Sequence, residues 1–209
     1  MTKKGWIDIS QPLSSRIAHW LGDTPFSYET AFTKEQTGSV NIGRILTSLH
    51  TGTHVDAPFH FSNEGERIID LDIEVFIGPA RVVDVSSYER VDASVLRKLD
   101  LEKTERVLLK TALPNNPEVF PQKVPILAPD MADYLGSIGV RLLGVDIPSV
   151  DPTDSKDMEM HHALYRNGIH ILENIMLDHV EDGDYELIAL PLPIKDGDGS
   201  PVRAVIRPI

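Results

Sequence analysis

His50-Thr51-Gly52-Thr53-His54-Val55-Asp56-Ala57-Pro58-Phe59-His60 packs three of the chain's eight histidines and a carboxylate into one short stretch. Imidazole nitrogen and carboxylate oxygen hold borderline divalent ions such as zinc, and they do so in pairs or triplets at short spacing. His50, His54, Asp56 and His60 all fall on even positions, so an extended backbone would turn the four side chains to one side. Full extension cannot hold throughout, because ten strand steps at about 3.3 Å each span about 33 Å, beyond the reach of any ion. The chain must bend. Gly52 tolerates unusual dihedrals and Pro58 fixes φ without needing a ladder hydrogen bond, so these two residues supply the bends. A helix would also bring His50 and His54 one turn apart, but β-branched Thr51, Thr53 and Val55 together with Gly52 and Pro58 disfavour it. The stretch reads as a strand end running into a loop.

Outward from this stretch, β-branched or alternating runs predict strands over Trp6–Ser10, Val40–Leu49, Ala80–Ser86, Arg106–Thr111, Val140–Ile147, Glu186–Leu192 and Val202–Ile206. Helices are expected over Ala93–Leu99 with Asp92 as N-cap, over Pro129–Ser137, and over Lys156–Asn167 ended by Gly168. Asp196-Gly197-Asp198-Gly199 between two strand-like runs predicts a hairpin turn. No linker, repeat or low-complexity tract divides the 209 residues, so the expectation is one α/β domain over residues 1–209, with a mixed sheet, a closed barrel at its centre and flanking helices.

Composition narrows the partners. Twenty basic against thirty-two acidic side chains give a formal charge of −12, which disfavours nucleic acid and anionic membrane surfaces. With no cysteine, a metal can be held only by nitrogen and oxygen. The start Met1-Thr2-Lys3-Lys4-Gly5-Trp6 is followed at once by polar residues, and no apolar run approaches the ~20 residues of a membrane span, so a cytoplasmic protein is expected.

A second polar cluster lies at Asp157-Met158-Glu159-Met160-His161-His162-Ala163-Leu164-Tyr165, where Met158, His161 and Tyr165 would share a helix face. His161 and His162 stand about 100° apart on a helix, so one of them points inward, and spacing alone does not choose between them. Glu173 interrupts the apolar run Gly168 to Ile175; it is either a strand-edge glutamate facing water or a buried carboxylate that needs a cation. His60 is a fourth ligand or a proton carrier beside the metal, since a neutral imidazole suits proton transfer near neutral pH. Trp20, just before the turn-rich Gly22-Asp23-Thr24-Pro25, is a core side chain or a wall for a planar substrate. Asp146 orients a ligand histidine or caps a turn. His19, His170 and His179 lack polar company and read as surface or packing residues.

The string HTGTHVDAPFH resembles the His-x-Gly-Thr-His-x-Asp-x-Pro-x-His signature of the cyclase-like metal-dependent hydrolases. Trp6-Ile7-Asp8-Ile9-Ser10, Trp20 to Pro25, Gly144-Val145-Asp146 and the His161-to-Glu173 segment carry the resemblance along nearly the whole chain. It implies a swivelling β/β/α architecture, a homodimer, His161 as the inward histidine, Trp20 in the pocket wall and His60 as proton carrier. His50, His54, Asp56, His161 and Glu173 would hold two divalent ions, zinc first, with manganese or another ion as the alternative. Within the family the resemblance points to the arylformamidase branch, which hydrolyses N-formyl-L-kynurenine to kynurenine and formate in tryptophan catabolism. Two alternatives stay open: a hydrolase of a cyclic imide, lactam or lactone such as isatin, and a non-catalytic metal-binding module. A proton-carrying His60 beside a complete ligand set counts against the module, because structural zinc sites are closed by four protein ligands and leave no position for water.

Overall fold

Short strands pair into one curled sheet that carries both halves of the sequence motif. The computed structural model describes residues 5–101 and 103–209; the Lys3-Lys4 start discussed above lies outside them. The strands are β1 (Ile7–Asp8), β2 (Ser27–Phe32), β3 (Ile42–Leu46), β4 (His54–Asp56), β5 (Ile77–Asp84), β6 (Arg90–Val91), β7 (Arg106–Lys110), β8 (Ile126–Leu127), β9 (Leu142–Val145), β10 (His170–Glu173), β11 (Gly183–Ile188), β12 (Gly199–Pro201) and β13 (Val205–Pro208). The helices are α1 (Lys34–Thr37), α2 (Ala93–Leu96), α3 (Asp130–Ser137) and α4 (Glu159–Arg166). Nine strands form the main sheet in the order β1-β13-β11-β5-β7-β9-β10-β4-β12, and the sheet curls as a half-barrel. Its middle, β5-β7-β9-β10, is parallel, and the other pairings within this sheet are antiparallel; β6 and β8 pair in parallel in a separate two-stranded sheet.

Alternation along the parallel strands explains why their middles are apolar on both faces. Val83, Val107, Leu109, Leu143, Val145 and Ile171 pack beneath α2, α3 and α4. Their neighbours Val82, Leu108, Leu142 and Leu172 point the other way, into the curl, against Val55, Phe76, Leu187 and Ile206. The Asp92 carboxylate accepts the backbone N–H groups of Ser94 and Val95 and starts α2 as expected.

Several expectations change. β1 and β12 end the sheet without pairing to each other, so the central barrel is open. Loop contacts partly bridge the gap: Met176 N–H donates to the Ile9 carbonyl and Gln11 N–H to Thr53 Oγ1. The turn at Asp196–Gly199 is not a hairpin turn. β11 and β13 do pair, but the chain between them crosses to the far edge and adds β12 to β4. An Asp-Gly signal marks a bend, and only the tertiary pairing says where the next strand goes. The run Val40–Leu49 shortens to β3, which pairs with β2 in a separate hairpin. α4 begins at Glu159, three residues later than Lys156, and Met158 takes a left-handed backbone (φ 49°) as its N-cap instead of sharing the helix face.

Candidate metal centre

The motif folds in three pieces that match its chemistry. Gly52 bends the chain at φ 68°, His54–Asp56 forms β4, and Pro58 opens a 3-10 turn ending at His60. β4 lies against β10, with Glu173 directly opposite His54. That pairing carries the late glutamate to the early motif. α4 brings in His161, which is buried, whereas His162 stays half-buried against the Phe61 ring at a centroid distance of 5.4 Å.

Asp56 is the hub. One of its oxygens, Oδ1, lies 2.9 Å from His50 Nδ1 and 3.3 Å from His54 Nε2, while Oδ2 lies 3.3 Å from His161 Nε2. Glu173 divides in the same way, with Oε2 3.4 Å from His54 Nε2 and Oε1 3.8 Å from His161 Nε2. Two donor sets result: His50, His54 and Asp56 on one side, and Asp56, His161 and Glu173 on the other, the donor atoms of each set within 4.8 Å of one another. His50, His60 and Asp198 form a third set with the same reach.

The outer nitrogens support this reading. His54 Nδ1–H donates to the Gly52 carbonyl at 2.8 Å, and a carbonyl can only accept, so in the neutral ring, the form that binds a metal, the lone pair is on Nε2 and faces the carboxylates. His161 Nδ1 lies 2.6 Å from Asp151, which likewise leaves Nε2 inward. Asp151 also accepts the N–H groups of Met160 and His161, so one carboxylate caps the start of α4 and fixes the ring on it. His50 Nε2 lies 3.0 Å from Asp198, leaving Nδ1 toward Asp56. Each histidine has its outer nitrogen engaged and its inner nitrogen facing a carboxylate, an arrangement that fits bound divalent cations.

The electrostatics agree. Burial alone would push the imidazoles down, but the surrounding carboxylates outweigh it and raise His50 to about 9 and His54 and His161 to about 10. Burial pushes the Asp56 carboxyl up, yet hydrogen bonds from His161, His50 and His54 hold it well below the usual range. The pocket is a strong cation seat.

His60 lies beside these sets and keeps part of its side chain exposed; its ring is stacked on His50 with centroids 3.9 Å apart and planes tilted by 34°. A cavity of about 280 Å³ opens over His50, His54, His60, His161 and Glu173, with Trp20 at its edge. Trp20 is half-buried, with Phe120 edge-on at 4.9 Å, and it also borders an adjoining cavity of about 270 Å³. Asp146 does not touch a ligand histidine. It accepts the Thr111 N–H, lines the second cavity, and is pushed up to about 6 by burial. The orienting role left open for Asp146 falls to Asp151 at His161, and sequence reasoning missed both Asp151 and Asp198. Of the remaining histidines, His19 lines the second cavity, His170 packs on the edge of Phe76 at 5.8 Å, and His179 lies exposed beside Asp178.

Residues 7–152 match the model of the Cyclase family, described as "Putative cyclase". Kynurenine formamidase from Bacillus cytotoxicus is 58% identical over 209 residues, covering 100% of both chains. Among solved structures, one described as "predicted metal-dependent hydrolase from Bacillus stearothermophilus" has a TM-score of 0.81 at 25% identity and covers 97% of each chain. Isatin hydrolase A from Labrenzia aggregata has a TM-score of 0.83 at 22% identity, covering 98% of this chain and 93% of that one, a likeness of fold alone. The family model spans well over half of the chain and the full-length relative aligns from end to end, and on these grounds the chain belongs to the Cyclase family.

Proposed function

We propose that the chain is an arylformamidase that hydrolyses N-formyl-L-kynurenine to L-kynurenine and formate, in tryptophan catabolism and in the cytoplasm. One observation carries the reading: a two-sided donor set with a partly exposed imidazole beside it, in a chain 58% identical end to end to a protein named kynurenine formamidase. His50, His54 and Asp56 would hold one divalent ion, and Asp56, His161 and Glu173 a second, with zinc the first choice and manganese the other candidate. Ions bound there supply Lewis acidity toward the formyl oxygen and acidify water near neutral pH.

The protein's own groups do the rest. Water adds to the formyl carbon, the C–N bond breaks, and the departing aryl amine takes up a proton. His60 borders the cavity and belongs to neither of the two sets assigned to the ions, and in this reading it accepts a proton from water and returns it to that nitrogen. Trp20 offers an aromatic face to the aryl ring. Asp151 and the Gly52 carbonyl keep the inner nitrogens of His161 and His54 turned toward the ions. The homodimer belongs to the same proposal, supported by the exposed apolar side chains of Tyr28, Phe32, Ile45 and Leu46 on the β2–β3 hairpin.

The test is metal analysis of the purified protein with turnover of N-formyl-L-kynurenine and isatin measured side by side. Turnover of the formamide far above isatin is expected, and the reverse order would replace the reading with a cyclic-imide hydrolase. Trp20→Ala should mainly raise KM, because lost stacking removes binding common to ground and transition states.

A further inference from the structure

Two imidazoles of the site converge on a carboxylate from outside the motif. Asp198 Oδ2 lies 3.0 Å from His50 Nε2 and 3.6 Å from His60 Nδ1. The contact is built by the sheet. β12 pairs with β4 so that Gly199 stands opposite Asp56, and the preceding Asp198 carbonyl accepts the Ala57 N–H at 2.9 Å. On the other side of Asp198, the Gly197 carbonyl accepts the Ile68 N–H at 3.0 Å. Gly199 permits the close approach, since a Cβ there would stand 2.9 Å from His50 Cε1. The backbone is thus held on both sides of a carboxylate that reaches two rings at once.

A carboxylate on the outer nitrogen of a metal-ligating histidine fixes its tautomer and raises its basicity. At His60 the carboxylate stands 3.6 Å from Nδ1, beyond hydrogen-bond length, and acts through its charge: it favours the proton on that nitrogen, leaves the other for the substrate and stabilises the imidazolium as it forms. On His50 this leaves Nδ1 facing Asp56, and on His60 it leaves Nε2 as the working nitrogen. We infer that Asp198 is a positioning residue that serves both histidines, orienting His50 toward the ion and His60 toward the substrate, an inference that rests on the proposed role of His60 for its second half.

Asp198→Ala and Asp198→Asn in the full-length protein test it, each alone and combined with His60→Ala. The readouts are zinc stoichiometry, zinc affinity against a competing chelator, and kcat and KM for N-formyl-L-kynurenine at saturating zinc. Asp198→Ala should bind the wild-type number of ions about 10–100-fold more weakly. Asp198→Asn should recover most of that affinity, because its side-chain carbonyl still accepts the His50 Nε2–H. At saturating zinc, Asp198→Ala should lower kcat at least about 10-fold with KM nearly constant, and should add little in the His60→Ala background, as expected for residues acting as one unit. Loss of an ion in both variants would make Asp198 a ligand and overturn the inference. Unchanged zinc affinity, or a kcat loss fully additive with His60→Ala, would overturn it too. If the wild-type protein leaves N-formyl-L-kynurenine intact, the proposed activity fails, while the zinc measurements still decide the role of Asp198 at His50.

Discussion

Asp56 gives one oxygen to His50 and His54 and the other to His161, so a single carboxylate touches three of the site's histidines. Asp56→Ala and Glu173→Ala should each lower the bound zinc count and nearly abolish turnover; elemental analysis showing full stoichiometry in both would remove the two-ion arrangement. His161→Ala should act similarly, whereas His162→Ala should keep its zinc, because His162 touches Phe61 and no donor set. The reverse ranking would show that the other histidine faces the ions. At this scale the motif was legible because His50, His54, Asp56 and His60 are adjacent in sequence. Asp151 and Asp198 were not, because a single carboxylate among thirty-two acidic residues carries no signal until folding places an imidazole beside it.

Between residue and molecule, the site depends on elements that are short and polar. β4, β10 and β12 have three, four and three residues, and hydrophobic alternation did not reveal them: in β4 and β10 the positions that face the site carry His54, Asp56 and Glu173 instead of apolar side chains, and β12 is Gly199-Ser200-Pro201. β7 and β9 were legible because both of their faces are covered and their sequences are nearly continuous aliphatic runs. The 3-10 turn that carries His60 is pressed against Gly65: a Cβ there would meet the Pro58 carbonyl carbon at 2.4 Å and the Phe59 nitrogen at 2.6 Å. Those atoms are backbone and cannot rotate away. Gly65→Ala should therefore cost about 1–3 kcal/mol of stability as an overpacked substitution and displace His60. Chemical denaturation together with kcat checks it; unchanged values of both would mean that the turn tolerates the shift.

Across the whole molecule, the clustered carboxylates make stability depend on pH and metal together. His50, His54 and His161 stand at about 9 to 10 against 6.5 for the free side chain, so the folded metal-free protein binds their protons more tightly than the unfolded chain does. That stabilisation is complete below about pH 6.5 and is lost as pH rises through about 9 to 10. Chelator-treated protein should therefore melt at lower temperature at pH 9.5 than at pH 6.5. Zinc competes with those protons for the same nitrogens, so its affinity should rise over this interval and offset the loss. A chelator-treated protein with a pH-independent melting temperature would contradict the cluster's electrostatics. The sequence by itself determined the class of chemistry, the nitrogen and oxygen donor types, the bends at Gly52 and Pro58, and the aliphatic middle of the sheet, because each follows from residue identity and short spacing. Only the tertiary structure decided that the barrel stays open, that the Asp196–Gly199 bend leads to the far edge of the sheet, and that Asp151 and Asp198 orient histidines. Those outcomes depend on which strands pair across long stretches of chain, and local spacing does not encode that choice.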